Sequence, residues 1–444
     1  MSCRERKLRL SIYRRERGND LTPGTSNSSN KSFDRSKRIM FVSTWFGTDI
    51  GGGAEAALLA MARDVSRLHP EINVEVATTT LKEFAADWNI PSHPEGSADS
   101  EGIRVHRFNT IPRKRSFFHF LNGRYLMGGS ATALLHGKGV VSPIPELAEY
   151  YYLRNMIDSP RLLRFLAQEF SNTDAFVFMP YLMGPVITGA RVVREKAFVF
   201  PCLHDERYAA LGVVKNMLSM VHKNLFWVRS EQNLCRTLYP AASLGGVVGS
   251  QVKIDQFIGS PTRGRDIAKT GENRFLLYAG RQIEGKGLPD LVSKYMAFKT
   301  RNKKYNDLKL VLIGKGDLDY SDNSEIINLG FVSEQDKADV MSAAVALMQP
   351  SLYESFSIVM MEAWLQKTPV IVDGRCEVTR NHIEDSGGGL AYDSQEDFDS
   401  TLSQLLSSVQ TRDRLGLLGR EYVLANYASE RVVQKFVREI GLTT

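Results

Sequence analysis

Residues 275–287, FLLYAGRQIEGKG, decide the fold class. The apolar run 275–279 predicts a short buried strand, the glycines after it predict a tight loop, and the apolar spacing over 288–299 predicts a helix. The same order recurs along the chain, with strands expected at 308–313, 326–329, 346–349 and 370–373 and helices at 334–343 and 358–365. Strands that alternate with helices in this way predict βαβ units and a parallel sheet covered on both faces.

The amino-terminal half shows the same alternation. Its expected elements are a helix at 54–68 and strands at 38–43, 73–78, 104–108, 175–179 and 197–202. Between the halves, 245–273 is rich in glycine, serine, proline and charged residues, which is typical of a linker. We therefore expect an α/β protein with two doubly wound Rossmann-like domains that face each other across a cleft.

The expected boundaries follow from these patterns. They are a flexible basic leader over 1–37, a first domain over 38–250 and a second domain over 260–427. The apolar spacing of the final residues predicts an amphipathic helix within 428–444. Ligands of such sheets bind beyond the carboxyl ends of the strands, so the loops that follow strands are where chemistry is expected.

The charge of the chain is unevenly placed. The 444 residues carry a net charge of +6, which alone would suit a protein that binds polyanions. Residues 1–38 hold eleven Lys and Arg and four Asp and Glu, so they contribute +7 and the rest of the chain −1. A neutral body argues against nucleic-acid binding and leaves the cationic leader as the one strongly basic segment.

The expected compartment is the cytoplasm. The four cysteines are scattered and show no metal-binding spacing, which fits a reducing environment. The sequence has no apolar run of about 18 residues that could span a membrane. Its amino terminus also lacks the apolar region of a secretory signal.

Two glycine-containing loops are candidate phosphate sites. Gly52 and Gly53 lie in a glycine run between a strand and a helix, where backbone N–H groups can approach a phosphate. Arg281 and Lys286 lie in the loop at 280–287, where two cations beside glycines suit a diphosphate. The alternatives are an ordinary turn for the glycines and solvated surface charges for the cations.

Two carboxylates stand out after the strand at 346–349. Glu354 and Glu362 are eight residues apart, about 12 Å along a helix, which is too far for an acid–base pair acting on one glycosidic bond. They could instead contact the two ends of an extended ligand. An acid among Met, Ala and Trp, as Glu362 is, favours function, and a structural ion pair is the alternative.

A histidine follows the strand at 197–202. His204 could hydrogen-bond a ligand hydroxyl, and Asp205 or Glu206 could orient the imidazole ring. The alternative is a structural histidine whose ring nitrogens are satisfied by the protein.

Taken in order, these motifs resemble a known family. The segments GRQIEGKG (280–287), LVLIGKGD (310–317), QPSLYESFSIVMMEAW (349–364) and TPVIV (368–372), with the glycine run and His204, are similar to the retaining glycosyltransferases of family 4, which have the GT-B fold. The similarity is strong over about 270–392 and weaker over 38–80 and 195–207. Ser355 and Ser357 stand where that family commonly has glycine.

The resemblance implies a set of site residues. His204 and Glu354 would be catalytic and would contact the donor sugar. The remaining matched residues would bind the nucleoside diphosphate, Glu362 through the ribose hydroxyls: Gly52, Gly53, Arg281, Lys286, Phe356, Ser357 and Glu362. No metal and no cofactor beyond the donor substrate would be needed, and the helix at 428–444 would cross back onto the first domain.

The resemblance also implies an activity. We expect transfer of a hexose from a UDP-sugar or GDP-sugar to a glycan or glycolipid hydroxyl, with retention at the anomeric carbon, in surface polysaccharide biosynthesis. A non-catalytic nucleotide-sugar-binding subunit is the main alternative, and a nucleotide-sugar 2-epimerase is a third possibility.

The segment 112–128 is a candidate contact with other molecules. It combines Arg113, Lys114 and Arg115 with three phenylalanines, at 117, 118 and 120. This composition suits an anionic membrane surface, in which case the enzyme would be peripheral at the inner face of the cell membrane. A solvated charge run beside a buried phenylalanine cluster would give the same pattern.

Overall fold

The computed structural model describes residues 36–47, 53–83, 86–126, 130–132, 146–254 and 257–442. The strands of the first half are β1 (Lys37–Val42), β2 (Ile72–Thr79), β3 (Gly96–Ser100), β4 (Ile103–Phe108), β5 (Ala175–Phe178), β6 (Ala197–Val199), β7 (Lys223–Phe226) and β8 (Leu244–Val247). Those of the second half are β9 (Phe275–Ala279), β10 (Lys309–Ile313), β11 (Ile326–Asn328), β12 (Ala346–Gln349), β13 (Val370–Asp373) and β14 (Gly389–Tyr392).

The helices lie between these strands. In the first half they are α1 (Gly53–Leu68), α2 (Arg115–Leu121), α3 (Glu146–Asn155), α4 (Pro160–Glu169), α5 (Gly184–Val192), α6 (Gly212–Met220) and α7 (Arg229–Leu238). In the second half they are α8 (Pro261–Ala268), α9 (Leu288–Arg301), α10 (Glu334–Ala343), α11 (Ile358–Leu365), α12 (Glu377–Ser386), α13 (Gln395–Ser407), α14 (Val409–Asn426) and α15 (Ser429–Glu439). Within the described ranges no helix is long and apolar enough to cross a membrane.

The strands form two separate sheets. The first has eight strands in the order β3-β4-β2-β1-β5-β6-β7-β8, and the second has six in the order β11-β10-β9-β12-β13-β14. Among the described strands, every pairing is parallel except that of the edge strand β3 with β4. Two parallel sheets with helices between their strands confirm the expected α/β class and its two Rossmann-like halves.

The apolar strands are buried because helices cover both faces of each sheet. The five residues of β9, FLLYA, are buried or nearly so, as the opening sequence predicts. The expectation of a linker over 245–273 is wrong in part. β8 ends at Val247 and α8 spans Pro261–Ala268, so the segment contributes an edge strand and a helix.

The chain passes between the two sheets twice. After α14 it turns at Tyr427 and enters α15, whose Phe436 ring stacks on Phe41 of β1 at a centroid distance of 5.9 Å. The first passage, after β8, contacts the second, because Val252 N–H donates to the Tyr427 carbonyl at 2.9 Å. The last helix therefore packs on the sheet that contains the first strand.

One glycine in the loop after β9 is required by its surroundings. Gly287 has a φ of +73°, and a Cβ at this position would lie 2.3 Å from the Pro350 carbonyl oxygen. Any other residue would meet both a backbone clash and an unfavourable left-handed conformation. This glycine lets the loop that carries Lys286 lie directly against the end of β12.

Candidate active site

A cavity of about 220 Å³ lies between the carboxyl ends of the two sheets. We call it the His204 cavity. The first sheet and its helices contribute Ala54, Ala57, Cys202, His204, Trp227 and Ser250 to its lining. The second contributes Lys286, Tyr353, Glu354, Ser355, Phe356, Ser357 and Ile358. Loops that follow strands of the two sheets thus meet at one site, and such loops are where ligands of parallel sheets bind.

His204 is held at the interface between the two halves. Its Nε2 lies 3.1 Å from the Ser355 hydroxyl, which belongs to the loop after β12. Burial lowers the pKa of His204 below its ordinary value, and the nearby Glu354 carboxylate acts in the opposite direction. The ring is therefore neutral at neutral pH and can both donate and accept a hydrogen bond.

A buried carboxylate supports the loop that carries His204. Glu231, at the start of α7, accepts hydrogen bonds from the backbone N–H groups of Leu203 and Trp227, each at 2.9 Å, and from that of Cys202. Cys202 itself has a φ of +56°, a left-handed conformation that is costly for a residue other than glycine. Burial raises the pKa of Glu231 to about 7. The Glu231 carboxylate thus stabilises a strained turn directly before the histidine.

The expectation that Asp205 or Glu206 orients His204 is wrong. Asp205 accepts hydrogen bonds from the Ser130 hydroxyl at 2.7 Å and the Thr132 backbone N–H at 2.9 Å. Glu206 accepts one from the Tyr181 hydroxyl at 2.8 Å. Both acids point into the first domain because short polar segments there supply donors, and the histidine is oriented by its buried loop and by Ser355.

The cation and the acid of the second half are paired with each other. Lys286 Nζ donates to Glu354 Oε1 at 2.7 Å, and the Glu354 side chain is 13% exposed. Arg281 is different, since its side chain is exposed and lines neither the His204 cavity nor the neighbouring cavity that contains Glu362. The structure therefore brings Lys286 together with Glu354 and His204, and leaves Arg281 in solvent.

The loop after β12 ends in a helix amino terminus that faces the cavity. Ser357 precedes α11 with a φ of +63°, and its hydroxyl accepts a hydrogen bond from Gln349 Nε2 at 2.7 Å. Phe356 is buried against the rings of His382 and Tyr427, at centroid distances of 5.3 and 4.9 Å. The first turn of α11 presents free backbone N–H groups and partial positive charge, which favour an anion.

Glu362 lines an adjacent cavity of about 370 Å³, which we call the Glu362 cavity. The two cavities share Ala57, Ser250 and Ile358, so they are neighbouring parts of one cleft. Lys337 Nζ donates to Glu362 Oε1 at 2.9 Å. Burial raises the pKa of Glu362 and the Lys337 ammonium opposes this. Glu362 thus forms an ion pair and also lines the cavity, so the structural and the functional interpretations of this residue are compatible.

The glycine run is only partly described. Gly53 is the first residue of α1, whose next turn lines both cavities, and Gly52 lies outside the described residues. In the part of the chain that the structure describes, no group of three or more His, Cys, Asp or Glu is arranged to hold a metal ion.

Three residues of this site were not expected from the sequence. Ser355 and Lys337 are partners of predicted residues, and their roles depend on contacts between distant segments. Glu231 carries a weak sequence signal, an acid in the first turn of a helix directly after a strand. That placement is common because acids interact favourably with the helix dipole, so the position alone does not indicate its backbone contacts.

Comparison with known proteins agrees with this geometry. Residues 262–422, which include both Glu354 and Glu362, match the family Glycosyl transferases group 1. This stretch is a glycosyltransferase group 1 domain. An uncharacterized glycosyltransferase of Methanocaldococcus jannaschii, MJ1607, is 28% identical over a stretch that covers 27% of this chain and 33% of its own length. The matched stretch thus spans about a third of that relative.

Solved structures extend the likeness beyond the group 1 domain. A sucrose-phosphate synthase from Thermosynechococcus elongatus has a TM-score of 0.64 at 17% identity, covering 90% of this chain and 98% of its own. HepE from Anabaena, in complex with UDP and glucose, has a TM-score of 0.61 at 13% identity, with the same coverage. An E. coli trehalose-6-phosphate protein bound with UDP-2-fluoro glucose has a TM-score of 0.65 at 10% identity, covering 92% and 100%. These likenesses show that the chain has the GT-B fold.

His382, whose ring packs against Phe356 in the loop after β12, gives a prediction about how stability depends on pH. Burial lowers the pKa of His382 to about 4, against roughly 6.5 in an unfolded chain. Between these values the unfolded chain binds a proton that the folded protein does not. The free energy of unfolding should therefore decrease as pH falls from about 6.5 to 4, by up to about 3 kcal/mol from this group.

Urea unfolding of wild type and His382→Gln across this pH range measures the effect. We expect a flatter pH profile for the variant, whatever its stability at neutral pH. The matched control is His222→Gln, which removes a histidine at an exposed position. Parallel profiles for wild type and His382→Gln would show that His382 is not kept neutral by the fold.

Proposed function

We propose that the protein is a retaining glycosyltransferase that moves a hexose from a nucleoside diphosphate sugar to a glycan or glycolipid hydroxyl. The observation that carries this proposal is the His204 cavity, where a neutral histidine of one sheet faces the Lys286–Glu354 pair of the other. The group 1 domain and the UDP-containing HepE structure support a nucleotide-sugar donor.

The donor would extend through both cavities. In the proposed arrangement Glu362 accepts from the ribose hydroxyls, and the diphosphate lies at the amino terminus of α11 near Lys286. Backbone N–H groups of Phe356 and Ser357 and the glycines at 52 and 53 would approach the same phosphates. The exposed Arg281 would have to turn inward to join them. This order follows the positions of Glu354 and Glu362 in adjacent parts of the cleft.

The transfer itself would occur beside His204 and Glu354. The bond from the anomeric carbon to the diphosphate oxygen breaks, and the acceptor oxygen forms a new bond on the same face of the sugar. The acceptor proton passes to the released diphosphate. Glu354 is the one acid among the described residues that line the His204 cavity, and its pairing with Lys286 favours contact with sugar hydroxyls over attack on carbon.

Charge on the departing diphosphate would be neutralised by protein groups. Lys286, Arg281 and the dipole of α11 would supply this stabilisation, and we propose that the reaction needs no metal ion. His204, whose pKa is lowered by its partial burial, would donate a hydrogen bond to the donor sugar. The acceptor is proposed to belong to surface polysaccharide biosynthesis, on the strength of the sequence resemblance alone.

A panel of UDP-sugars and GDP-sugars tests the proposal. Release of nucleoside diphosphate, and equilibrium binding of UDP and GDP, should single out one base and one sugar, and turnover should persist in EDTA. Failure of every nucleotide and nucleotide sugar to bind would overturn the proposal. Binding without turnover for all acceptors would favour the non-catalytic donor-binding subunit, and loss of turnover in EDTA would overturn the metal-independent mechanism.

A further inference from the structure

Helices α2 and α3 pack on each other and on the first domain through their inner faces. Phe118 of α2 lies between the Trp88 ring at 4.8 Å and the Tyr152 ring of α3 at 4.9 Å. Phe118 and Tyr152 are 2% and 4% exposed. The apolar side chains that hold this helix pair in place are therefore buried within the first domain and cannot contact another molecule.

The outer faces of the same helices carry a second set of apolar side chains. These are exposed to between 38% and 64%: Phe117, Phe120, Leu147, Tyr150 and Tyr151. The Phe117 ring lies 6.4 Å from Phe120 and 6.1 Å from Tyr151, and the Tyr150 and Tyr151 rings lie 5.4 Å apart, so the four rings form a continuous surface across both helices. Leu147 lies one helical turn before the two tyrosines. We call this surface the aromatic patch. Large apolar groups gathered in solvent indicate a surface that contacts another phase or molecule.

The exposed charges of 112–126 and 147–155, the segments that carry the aromatic patch, have one sign. Lys114 and Arg154 are exposed and line the same groove as Phe117 and Phe120, and Arg124, which follows α2, is exposed too. The acid of α3 whose side chain is described, Glu149, turns inward and accepts hydrogen bonds from the Gly212 and Val213 N–H groups. Across the described side chains of 112–126 and 147–155, every exposed charge is positive. A partner that complements this surface has an apolar interior that the exposed side chains can enter and negative charge at its surface.

We propose that the aromatic patch binds the surface of an anionic phospholipid bilayer. Aromatic side chains favour the boundary between acyl chains and headgroups, and exposed Lys and Arg are attracted to anionic headgroups. A soluble glycan would also stack on aromatic rings, but it gives no reason for the exposed Leu147 or for the absence of exposed acids among the described side chains of 112–126 and 147–155. The bilayer accounts for all three features.

The position of the patch links it to the candidate active site. The inner-face residue Tyr152 lies 6.3 Å, between ring centroids, from Tyr208, four residues after His204. Asn122, directly after α2, accepts a hydrogen bond from the Tyr208 hydroxyl. A bilayer held at the outer face would therefore lie one helix layer from the segment that follows His204. This inference goes beyond the proposed function, because it concerns where the protein is held and requires no turnover.

Vesicle co-sedimentation of the full chain tests the inference. Vesicles of phosphatidylcholine with phosphatidylglycerol are compared with phosphatidylcholine alone, at low and high salt. Phe120→Ser/Leu147→Ser removes exposed apolar side chains, and Lys114→Glu/Arg154→Glu reverses two charges. Matched controls are Val409→Ser/Leu417→Ser, which are 55% and 47% exposed, and Lys303→Glu/Lys304→Glu. The basic residues 1–38 are present in every variant and so contribute equally.

We expect each patch variant to bind anionic vesicles at least about tenfold more weakly than wild type, and each control to stay within about twofold. UDP or GDP binding and the thermal unfolding midpoint should be unchanged in all variants, which separates this test from that of the donor site. Equal binding of patch and control variants would overturn the inference. So would equally tight binding of wild type to vesicles of phosphatidylcholine alone.

Discussion

Glu354→Gln is expected to lower kcat at least about a hundredfold. The carboxylate accepts from Lys286 at 2.7 Å in the His204 cavity and would face the sugar as positive charge develops at the anomeric carbon. An amide has no charge to offer there, and it leaves the Lys286 ammonium without its partner. Because this interaction would be strongest in the transition state, kcat should fall more than the donor KM rises.

The matched control removes a similar ion pair elsewhere. Glu325 pairs with Lys299 at 2.8 Å in the second half of the chain, and neither residue lines the two cavities. Glu325→Gln should keep kcat within about twofold of wild type. Steady-state kinetics with the preferred donor measure both variants. Similar losses for both, or a Glu354→Gln variant with wild-type kcat, would remove Glu354 from the reaction.

Glu231→Gln should lower kcat by about tenfold to a hundredfold and leave the donor KM nearly unchanged. The carboxylate uses both oxygens to accept backbone N–H groups, from Leu203 and Trp227. A glutamine places an NH2 donor against one of these N–H groups, so the turn at Cys202 should relax and His204 should move. Glu231 is thus a positioning residue, which acts through the histidine and touches no substrate.

Glu149→Gln is the control for this variant. Glu149 also accepts two backbone N–H groups, those of Gly212 and Val213, but it lines neither cavity. Both variants should lose stability to urea by about 1–3 kcal/mol, since each sets a side-chain NH2 group against a backbone N–H donor. A merely structural role for Glu231 would give the two variants the same kcat, whereas a positioning role lowers it in Glu231→Gln alone.

The strands of the second sheet could be predicted because their residues are apolar on both faces and are bounded by glycine. β9 and β10 begin and end within a residue of the expected positions. β3 could not be predicted in this way, because GSADS is polar and lies exposed at the antiparallel edge of the first sheet. β8, LGGV, could not be predicted either, because its two glycines are more typical of a linker than of a strand.

The candidate site, too, could be predicted from the sequence only in part. Lys286 and Glu354 could be expected together, because each follows a parallel strand of the same sheet and such strands end at one edge. The contact of His204 with Ser355 depends on how two sheets are placed against each other, which no local pattern encodes. Asp205 shows the converse, since its nearest donors come from Ser130 and Thr132, far away in sequence, and not from the adjacent histidine.

The two passages of the chain between the sheets have a mechanical consequence. They run side by side, joined where Val252 pairs with Ala428 and its N–H meets the Tyr427 carbonyl. Because the two passages lie side by side, they join the halves at one place, and a hinge motion between the halves would be absorbed there. Such a motion would change the distance from His204 to Ser355 and would leave each sheet intact. Substrate entry and assembly of the site would then be two positions of the same hinge.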